Sequence, residues 1–292
     1  MEGVDTRSMK GMLDMQADRK LSSYSQDVDI KHLPPQGSVA GTLGEEIFPQ
    51  LMSSRDSNQE MHAVFQATSD VLRQHGAQLT PAAYFASLVT ALSRVTSSDG
   101  KTAAAVLALL ATCIPQVPRI ILVEKFSQTV KALSSLLEQN KEQPVLRLAI
   151  TCVFLVLEPQ PRKVFKSREV QILFESLLEF MVDPKPKIRK RARESLIRLF
   201  QNVKESIRKV LSKYVVKLCV THFQKITPRD YKHALQLLQL SEPILPLMTE
   251  KACVHMCQEL VKLPSLNHAI LSSSTFMALE RLFSSDHVPM AP

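Results

Sequence analysis

The residues with the clearest chemical potential are Lys and Arg side chains concentrated in VDPKPKIRKRARESLIRLFQ, residues 182–201, and in the segment that follows. Between Asp183 and Lys217 there are twelve Lys or Arg and three Asp or Glu, whereas the whole chain of 292 residues has a net charge of +8. The rest of the chain is therefore close to neutral. Clustered cations bind phosphate by counterion release, so this segment is a candidate contact for nucleic acid or another acidic partner. The candidate residues are Lys185, Lys187, Arg189, Lys190, Arg191, Arg193, Lys204, Arg208 and Lys209.

A helical hairpin must position these cations. Val182, Asp183 and Pro184 predict the end of one helix, and Pro186 predicts the start of the next, where a first turn tolerates a residue without an N–H. A single apolar face is expected to pack on the partner helix while the cations lie away from it. The residues of this predicted buried face are Ile188, Ala192, Ser195, Leu196 and Leu199.

Three interpretations of the basic segment remain open. The cations can be the solvated face of a helix with no partner. The stretch KPKIRKR also has the composition of a nuclear import signal, although such a signal is bound extended and a folded helix would have to unwind. We favour a ridge that contacts phosphate, because Lys204, Arg208 and Lys209 continue the charge into the next helix and are expected to widen the ridge into a patch. Only Phe200 and Tyr214 are nearby aromatics, so base stacking is not expected.

No catalytic constellation emerges from the sequence. SSDGKT at 97–102 ends like a phosphate-binding loop, but the first glycine of that motif would fall at Val95. Cys253, His255 and Cys257 form a short cluster, yet on a helix only the two cysteines share a face, and structural zinc needs four ligands. We therefore expect buried thiols, and we expect no enzyme activity, no cofactor, no metal and no small-molecule substrate.

Composition favours an all-α protein. The chain has 7 Gly, no Trp and 5% aromatic residues, which is too little for Gly-rich nucleotide loops or a strand-rich barrel. After Gly44 apolar residues recur at helical period in about eleven segments separated by Pro, Ser or Asn. The polar residues 1–40 are predicted to be disordered, and residues 41–292 are predicted to form a helical solenoid.

The cysteines and the longest apolar run give information on the cellular location of the protein. Five cysteines inside apolar helices fit reduced thiols better than a secreted disulfide framework. The run AAAVLALLATCI at 103–114 is too short for a bilayer span. We expect a soluble intracellular protein with no membrane contact.

An internal repeat supports the solenoid. PVLRLAITCVFLVL at 144–157 aligns without a gap on PKIRKRARESLIRL at 186–199, so that Pro144 matches Pro186 and Arg147 matches Arg189. Each copy follows another predicted helix. A helical hairpin repeated every forty or so residues is typical of HEAT repeats, so the predicted fold is an all-α HEAT/armadillo-like solenoid.

A family resemblance rests on segments in a characteristic order. NQEMHAVFQATSDVLRQHGAQLTPAAYFASLVTALSRV at 58–95, KFSQTVKALSSLLEQ at 125–139, PVLRLAITCVFLVL at 144–157 and DPKPKIRKRARESL at 183–196 resemble the amino-terminal region of the ribosomal-RNA-processing-protein-twelve-like family. The resemblance runs from about Val39 to the end of the chain. Family members are several times longer, so the chain corresponds to the first part of their solenoid.

The resemblance implies a non-catalytic scaffold in ribosome biogenesis. It implies association with precursors of the small ribosomal subunit and with pre-rRNA, support of rRNA processing and subunit export, and contact with the nuclear transport GTPase. It also implies a location in the nucleus and nucleolus, with shuttling to the cytoplasm. Within this resemblance the basic residues from Lys185 to Arg193 match the family motif. The alternative is a solenoid of another pathway, such as a transport adaptor, whose basic patch docks an acidic protein.

Overall fold

The computed structural model describes residues 44–48, 51, 59–95, 99–227 and 230–283. Within these residues there is no strand, and apart from a single helical turn at Gly44–Ile47 the chain forms twelve α-helices. The predicted all-α class is confirmed. The predicted disorder of residues 1–40 lies outside the described residues. The helices are α1 Gln59–Gln74, α2 Pro81–Leu92, α3 Gly100–Cys113, α4 Arg119–Glu124, α5 Phe126–Gln139, α6 Gln143–Leu157, α7 Arg168–Glu179, α8 Pro186–Asn202, α9 Glu205–Phe223, α10 Tyr231–Ser241, α11 Glu250–Leu260 and α12 Ala269–Phe283.

Side-chain caps fix several of these boundaries. The hydroxyl of Thr80 accepts a hydrogen bond from the Ala83 N–H at 3.3 Å and opens α2. Ser167 caps α7 in the same way through the Val170 N–H at 3.4 Å. Each cap satisfies one of the backbone donors that a helix start leaves unpaired.

The start of α3 is occupied by carboxylates. Asp99 accepts a hydrogen bond from the Thr102 N–H at 3.1 Å, and the Glu142 carboxylate lies directly against Gly100, where any Cβ would collide with it. These two anions already complement the positive end of the helix, so the start of α3 at Gly100 does not favour a phosphate.

The chain divides into two compact units, Met1–Pro159 and Gln160–Pro292. In the first unit α3 packs against α1, α2 and α6, and α5 packs against α2 and α6. Helices α3 and α6 are apolar around most of their circumference, and nearly all their side chains are buried. A helix of this kind is stable only in the interior, so α3 and α6 form the core of this unit.

The second unit has two layers of helices. Helices α7, α9 and α11 form the first layer, in which α9 packs against both α7 and α11, and helices α8, α10 and α12 form the second layer, in which α10 packs against α12. The guanidinium of Arg193 on α8 donates a hydrogen bond to the Gln236 carbonyl oxygen of α10 at 2.7 Å, and this bond places α8 beside α10 in the second layer. The hairpins α7–α8, α9–α10 and α11–α12 thus each contribute one helix to each layer, as stacked helical repeats do.

The predicted 42-residue repeat is visible in the helices. Pro144 lies in the first turn of α6 and Pro186 in the first turn of α8. All five residues of the predicted buried face of α8 are buried, from Ile188 to Leu199. Within the described part of the chain no helix combines the length and hydropathy needed to cross a bilayer.

Two histidines join α9 to α10 in the second unit. His222 Nδ1 lies 3.0 Å from His233 Nε2, and His222 Nε2 lies 3.6 Å from a Glu179 carboxylate oxygen. Burial lowers the pKa of His233, and nearby His222 lowers it further, while Asp230 and Glu179 oppose the shift. A proton on His233 would place a charge in a half-buried site beside His222, so the neutral form of His233 is favoured.

We expect the second unit to lose stability as the pH falls through the range in which an ordinary histidine titrates, about 7 to 5.5. Because the folded-state pKa of His233 lies below its unfolded value, the unfolded chain binds more protons over this range. Urea unfolding at a series of pH values measures this. The variant His233→Asn should flatten the dependence, and an equal slope in both proteins would contradict the assignment to His233.

Candidate nucleic-acid interface

Helix α8 presents its cations because its opposite face is held in the core. Ile188, Ala192, Leu196 and their neighbours on the apolar face are buried, which leaves the other face of the helix toward solvent. The Lys190 side chain is 79% exposed, and its ammonium is 3.9 Å from the Glu194 carboxylate, one turn later. An exposed pair at this distance contributes little and leaves the ammonium accessible to a ligand.

Arg189 closes the start of α8. Its Nη1 donates hydrogen bonds to the carbonyl oxygens of Asp183 at 2.7 Å and Pro184 at 3.0 Å. The Asp183 carboxylate in turn accepts a hydrogen bond from the Lys185 N–H at 2.7 Å. Arg189 therefore stabilises the turn between α7 and α8.

Arg193 joins α8 to α10. Besides its bond to Gln236, its Nη1 donates to Gln239 Oε1 at 3.2 Å. Burial lowers the pKa of Arg191 and Arg193, and at Arg193 the neighbouring Arg189 adds to the effect. Both side chains are half-buried, and Arg193 joins the hairpin α7–α8 to the hairpin α9–α10.

Replacing Arg193 with Gln is expected to lower the free energy of unfolding by about 1.5–3 kcal/mol, because a charged donor is lost and the Gln236 carbonyl loses a partner. The matched control is Lys190→Gln on the same helix, which should stay within about 0.5 kcal/mol of the wild type. Chemical denaturation followed by circular dichroism measures both. A wild-type value for Arg193→Gln would contradict a structural role for Arg193.

The exposed cations at the start of α8 are Lys185, Lys187 and Lys190, which we call the α8 ridge. Lys185 is the residue before the first helical turn, and Lys187 and Lys190 are three residues apart on one face. Side chains with this spacing have Cβ atoms about 5–6 Å apart. The helix dipole disfavours cations at this end, so the ridge does not stabilise α8.

The remaining predicted residues lie elsewhere. Lys204 precedes the first residue of α9, at the far end of α8, which is about 25 Å long. Arg208 and Lys209 are on α9 in the other layer, and the Lys209 ammonium is 2.9 Å from the Glu205 carboxylate. The structure does not bring these three residues together with the α8 ridge, so the basic segment forms two surfaces.

The neighbouring aromatic rings are not available for stacking. Phe200 is fully buried. The Tyr214 hydroxyl donates a hydrogen bond to the Phe165 carbonyl oxygen at 2.9 Å, and its ring lies tilted against Phe174. The α8 ridge can therefore offer point charges to phosphate oxygens, which gives salt-sensitive contact with little base readout.

The cysteines are placed as structural thiols, with one exception. Cys113, Cys152, Cys219 and Cys253 are buried, and burial raises the pKa of Cys219 to about 12. Cys257 is only half-buried, and the neighbouring Cys253 side chain lowers the pKa of Cys257. The Cys253 thiol itself donates a hydrogen bond to the Leu245 carbonyl oxygen at 3.5 Å. Sequence reasoning placed these two cysteines on one face but did not predict the effect of one thiol on the other. No group of three His, Cys, Asp or Glu side chains placed to hold a metal occurs among the described residues.

The comparisons with a family model and with known proteins point to the same family. The sequence model of the family described as "RRP12-like, N-terminal HEAT repeats" matches residues 40–290. An RRP12-like protein of Homo sapiens is 27% identical over 240 residues, which cover 79% of this chain and 18% of that protein. An RRP12-like protein of Gallus gallus is 27% identical over 245 residues, with 80% and 18% covered. An RRP12-like protein of Drosophila melanogaster is 22% identical over 268 residues, with 84% and 19% covered. The chain thus spans about a fifth of the length of these relatives.

Proposed function

Because the chain belongs to the RRP12-like family and carries its N-terminal HEAT repeats, we propose that it is a non-catalytic scaffold in ribosome biogenesis that contacts pre-rRNA. The family was expected from the order of its helical segments. In this proposal the chain associates with precursors of the small ribosomal subunit. It supports the processing of their RNA.

The observation that carries the RNA contact is the α8 ridge. Its three lysines are exposed on a helix whose other face is buried in the core, so their positions are set by a rigid element. Ammonium groups on a rigid element bind phosphate without ordering a loop, which lowers the entropic cost of binding. They also lie at the helix end that disfavours them, so helix stability is not the reason for their presence.

The partners and location follow from the same proposal. A scaffold of small-subunit precursors works in the nucleolus and nucleus. We propose that it also contacts the nuclear transport GTPase and shuttles to the cytoplasm with exported subunits. An α-solenoid supports this role because its extended surface can hold several partners at once. We propose the export role for the longer family architecture, of which this chain spans about a fifth.

The association with precursors is tested by sedimentation. The tagged chain is expressed in cells, and lysates are separated on sucrose gradients at moderate salt. We expect the wild-type chain to sediment with small-subunit precursors, and we expect the variant Lys185→Gln/Lys187→Gln/Lys190→Gln to shift toward the top of the gradient. A wild-type chain that sediments only as free protein would contradict the proposal.

A further inference from the structure

A second charged surface lies on the layer formed by α7, α9 and α11. It is a groove of ≈ 1240 Å³ lined by one side of α9, by Arg162 and Lys166 before α7, and by the segment from Pro246 to His255 at the start of α11. We call it the α9 groove. All of its lining residues belong to the second unit.

The α9 groove carries a positive charge that its own carboxylates do not balance. Seven Lys or Arg line it against two acids, Glu205 and Glu250. Lys209 pairs with Glu205 at 2.9 Å, and Lys217 pairs with Glu175 on α7 at 2.7 Å. No described carboxylate lies within ion-pair distance of the four cations Arg162, Lys166, Lys213 and Lys251.

Arg208 adds a buried donor that lacks an acceptor. Its side chain is half-buried in the groove wall, and its Nε has no hydrogen-bond partner among the described residues. Buried polar groups in proteins are paired in the great majority of cases. Arg208 therefore keeps hydrogen-bonding capacity in the groove wall, and its guanidinium adds to the positive charge that a carboxylate in the groove would meet.

Between the cations the groove is aliphatic. Val210, Val216 and Val220 recur along α9, and Leu247 and Met248 contribute from the segment before α11. Among the described residues, His255 is the one aromatic side chain in its lining. Grooves that enclose single-stranded RNA combine cations with aromatic rings on which the bases stack, and this groove has aliphatic side chains in place of such rings. An aliphatic floor instead suits the side chains of a protein segment.

The length of the groove sets the length of its occupant. The lining residues of α9 run from Glu205 to Thr221, which is about 24 Å of helix. An extended segment of about seven residues spans this distance. We infer that the α9 groove docks a protein segment of about seven residues that carries both Asp or Glu and aliphatic side chains. The carboxylates pair with the cations, and the aliphatic side chains contact the valines of α9.

This inference does not depend on RNA binding by the α8 ridge. The ridge is on α8, which belongs to the other layer, and it shares no residue with the α9 groove. Variants can therefore be chosen that change one surface and leave the other intact. The groove variant is Lys213→Glu/Lys251→Glu, and the ridge variant is Lys187→Glu/Lys190→Glu.

The test is fluorescence anisotropy with the full chain and a labelled peptide of about ten residues made of Asp, Glu and Leu. We expect the peptide to bind the wild-type chain and the ridge variant equally and to bind the groove variant at least tenfold more weakly, because each charge reversal converts an attraction into a repulsion. Circular dichroism of both variants checks that they fold. We expect both to fold because all four substituted lysines are exposed.

Two further probes identify the class of occupant. A peptide with Ser in place of Leu should bind at least tenfold more weakly, because the aliphatic contacts are lost. An unlabelled single-stranded RNA of the same charge should not displace the peptide from the groove. Equal binding of the Ser peptide, displacement by RNA, or peptide binding that is unchanged in the groove variant would overturn the inference. Loss of peptide binding in the groove variant alone would support the docking of a protein segment in the α9 groove. This result is independent of RNA: if the ridge variant still bound RNA, only the proposed RNA contact of the α8 ridge would be contradicted.

Discussion

The variant Lys185→Gln/Lys187→Gln/Lys190→Gln is expected to bind single-stranded RNA about 50-fold more weakly than the wild-type chain at about 0.15 M salt. Each ammonium that neutralises a phosphate releases about 0.7 of a counterion from a single strand. Three lost contacts therefore lower the affinity by about 1.7 powers of ten at this salt concentration. The loss should be similar for different RNA sequences, because the α8 ridge reads phosphate and not bases.

The measurement is a titration of labelled RNA between about 0.05 and 0.2 M salt. The slope of log affinity against log salt should be smaller by about 2 in the triple variant. The matched control removes the same charge at three exposed lysines elsewhere, Lys131→Gln/Lys225→Gln/Lys232→Gln. If the control loses as much affinity as the triple variant, RNA binding depends on net charge alone and the α8 ridge is not an RNA-binding site.

Truncating Phe174 to Ala is expected to destabilise the chain by about 3–5 kcal/mol. Phe174 is fully buried in α7, and its ring centroid lies 5.7 Å from that of Tyr214 on α9. Removing the ring leaves a cavity between neighbouring hairpins, at a point where the repeats depend on each other for their core. This loss is a large part of the stability of an ordinary domain.

The control for Phe174 is Ile172→Ala on the same helix. Ile172 is 55% exposed, so its truncation should stay within about 0.5 kcal/mol of the wild type. Urea unfolding followed by circular dichroism compares the two. Equal stability of both variants would mean that α7 does not pack on α9 in solution as the structure describes.

Much of the fold was predictable because local signals and packing agree. Pro144 and Pro186 mark the starts of α6 and α8, and Thr80 caps α2, since these residue types favour the first turn for reasons within the helix itself. The buried face of α8 was predicted because one helix side must enter the core. The order of segments then identified the family without any structural information.

Surfaces were harder to predict, because they join residues that are distant in sequence. The expected single patch is divided, since α8 and α9 belong to different layers although they are consecutive in the chain. Arg189 and Arg193 were expected to contact a partner, and the structure gives both of them hydrogen bonds to backbone carbonyls that no charge count reveals. The α9 groove likewise combines Lys166, Lys213 and Lys251, which only the stacking of repeats brings together.

The measurement that tests the central claim most directly is crosslinking of RNA to the chain in living cells, followed by sequencing of the attached RNA. The account predicts that precursor rRNA of the small subunit is enriched on the wild-type chain. It also predicts that this enrichment falls to background in Lys185→Gln/Lys187→Gln/Lys190→Gln while the charge-matched control keeps it. RNA on the wild-type chain that does not exceed background, or enrichment that persists in the triple Gln variant, would contradict the claim that this helical solenoid contacts pre-rRNA through α8.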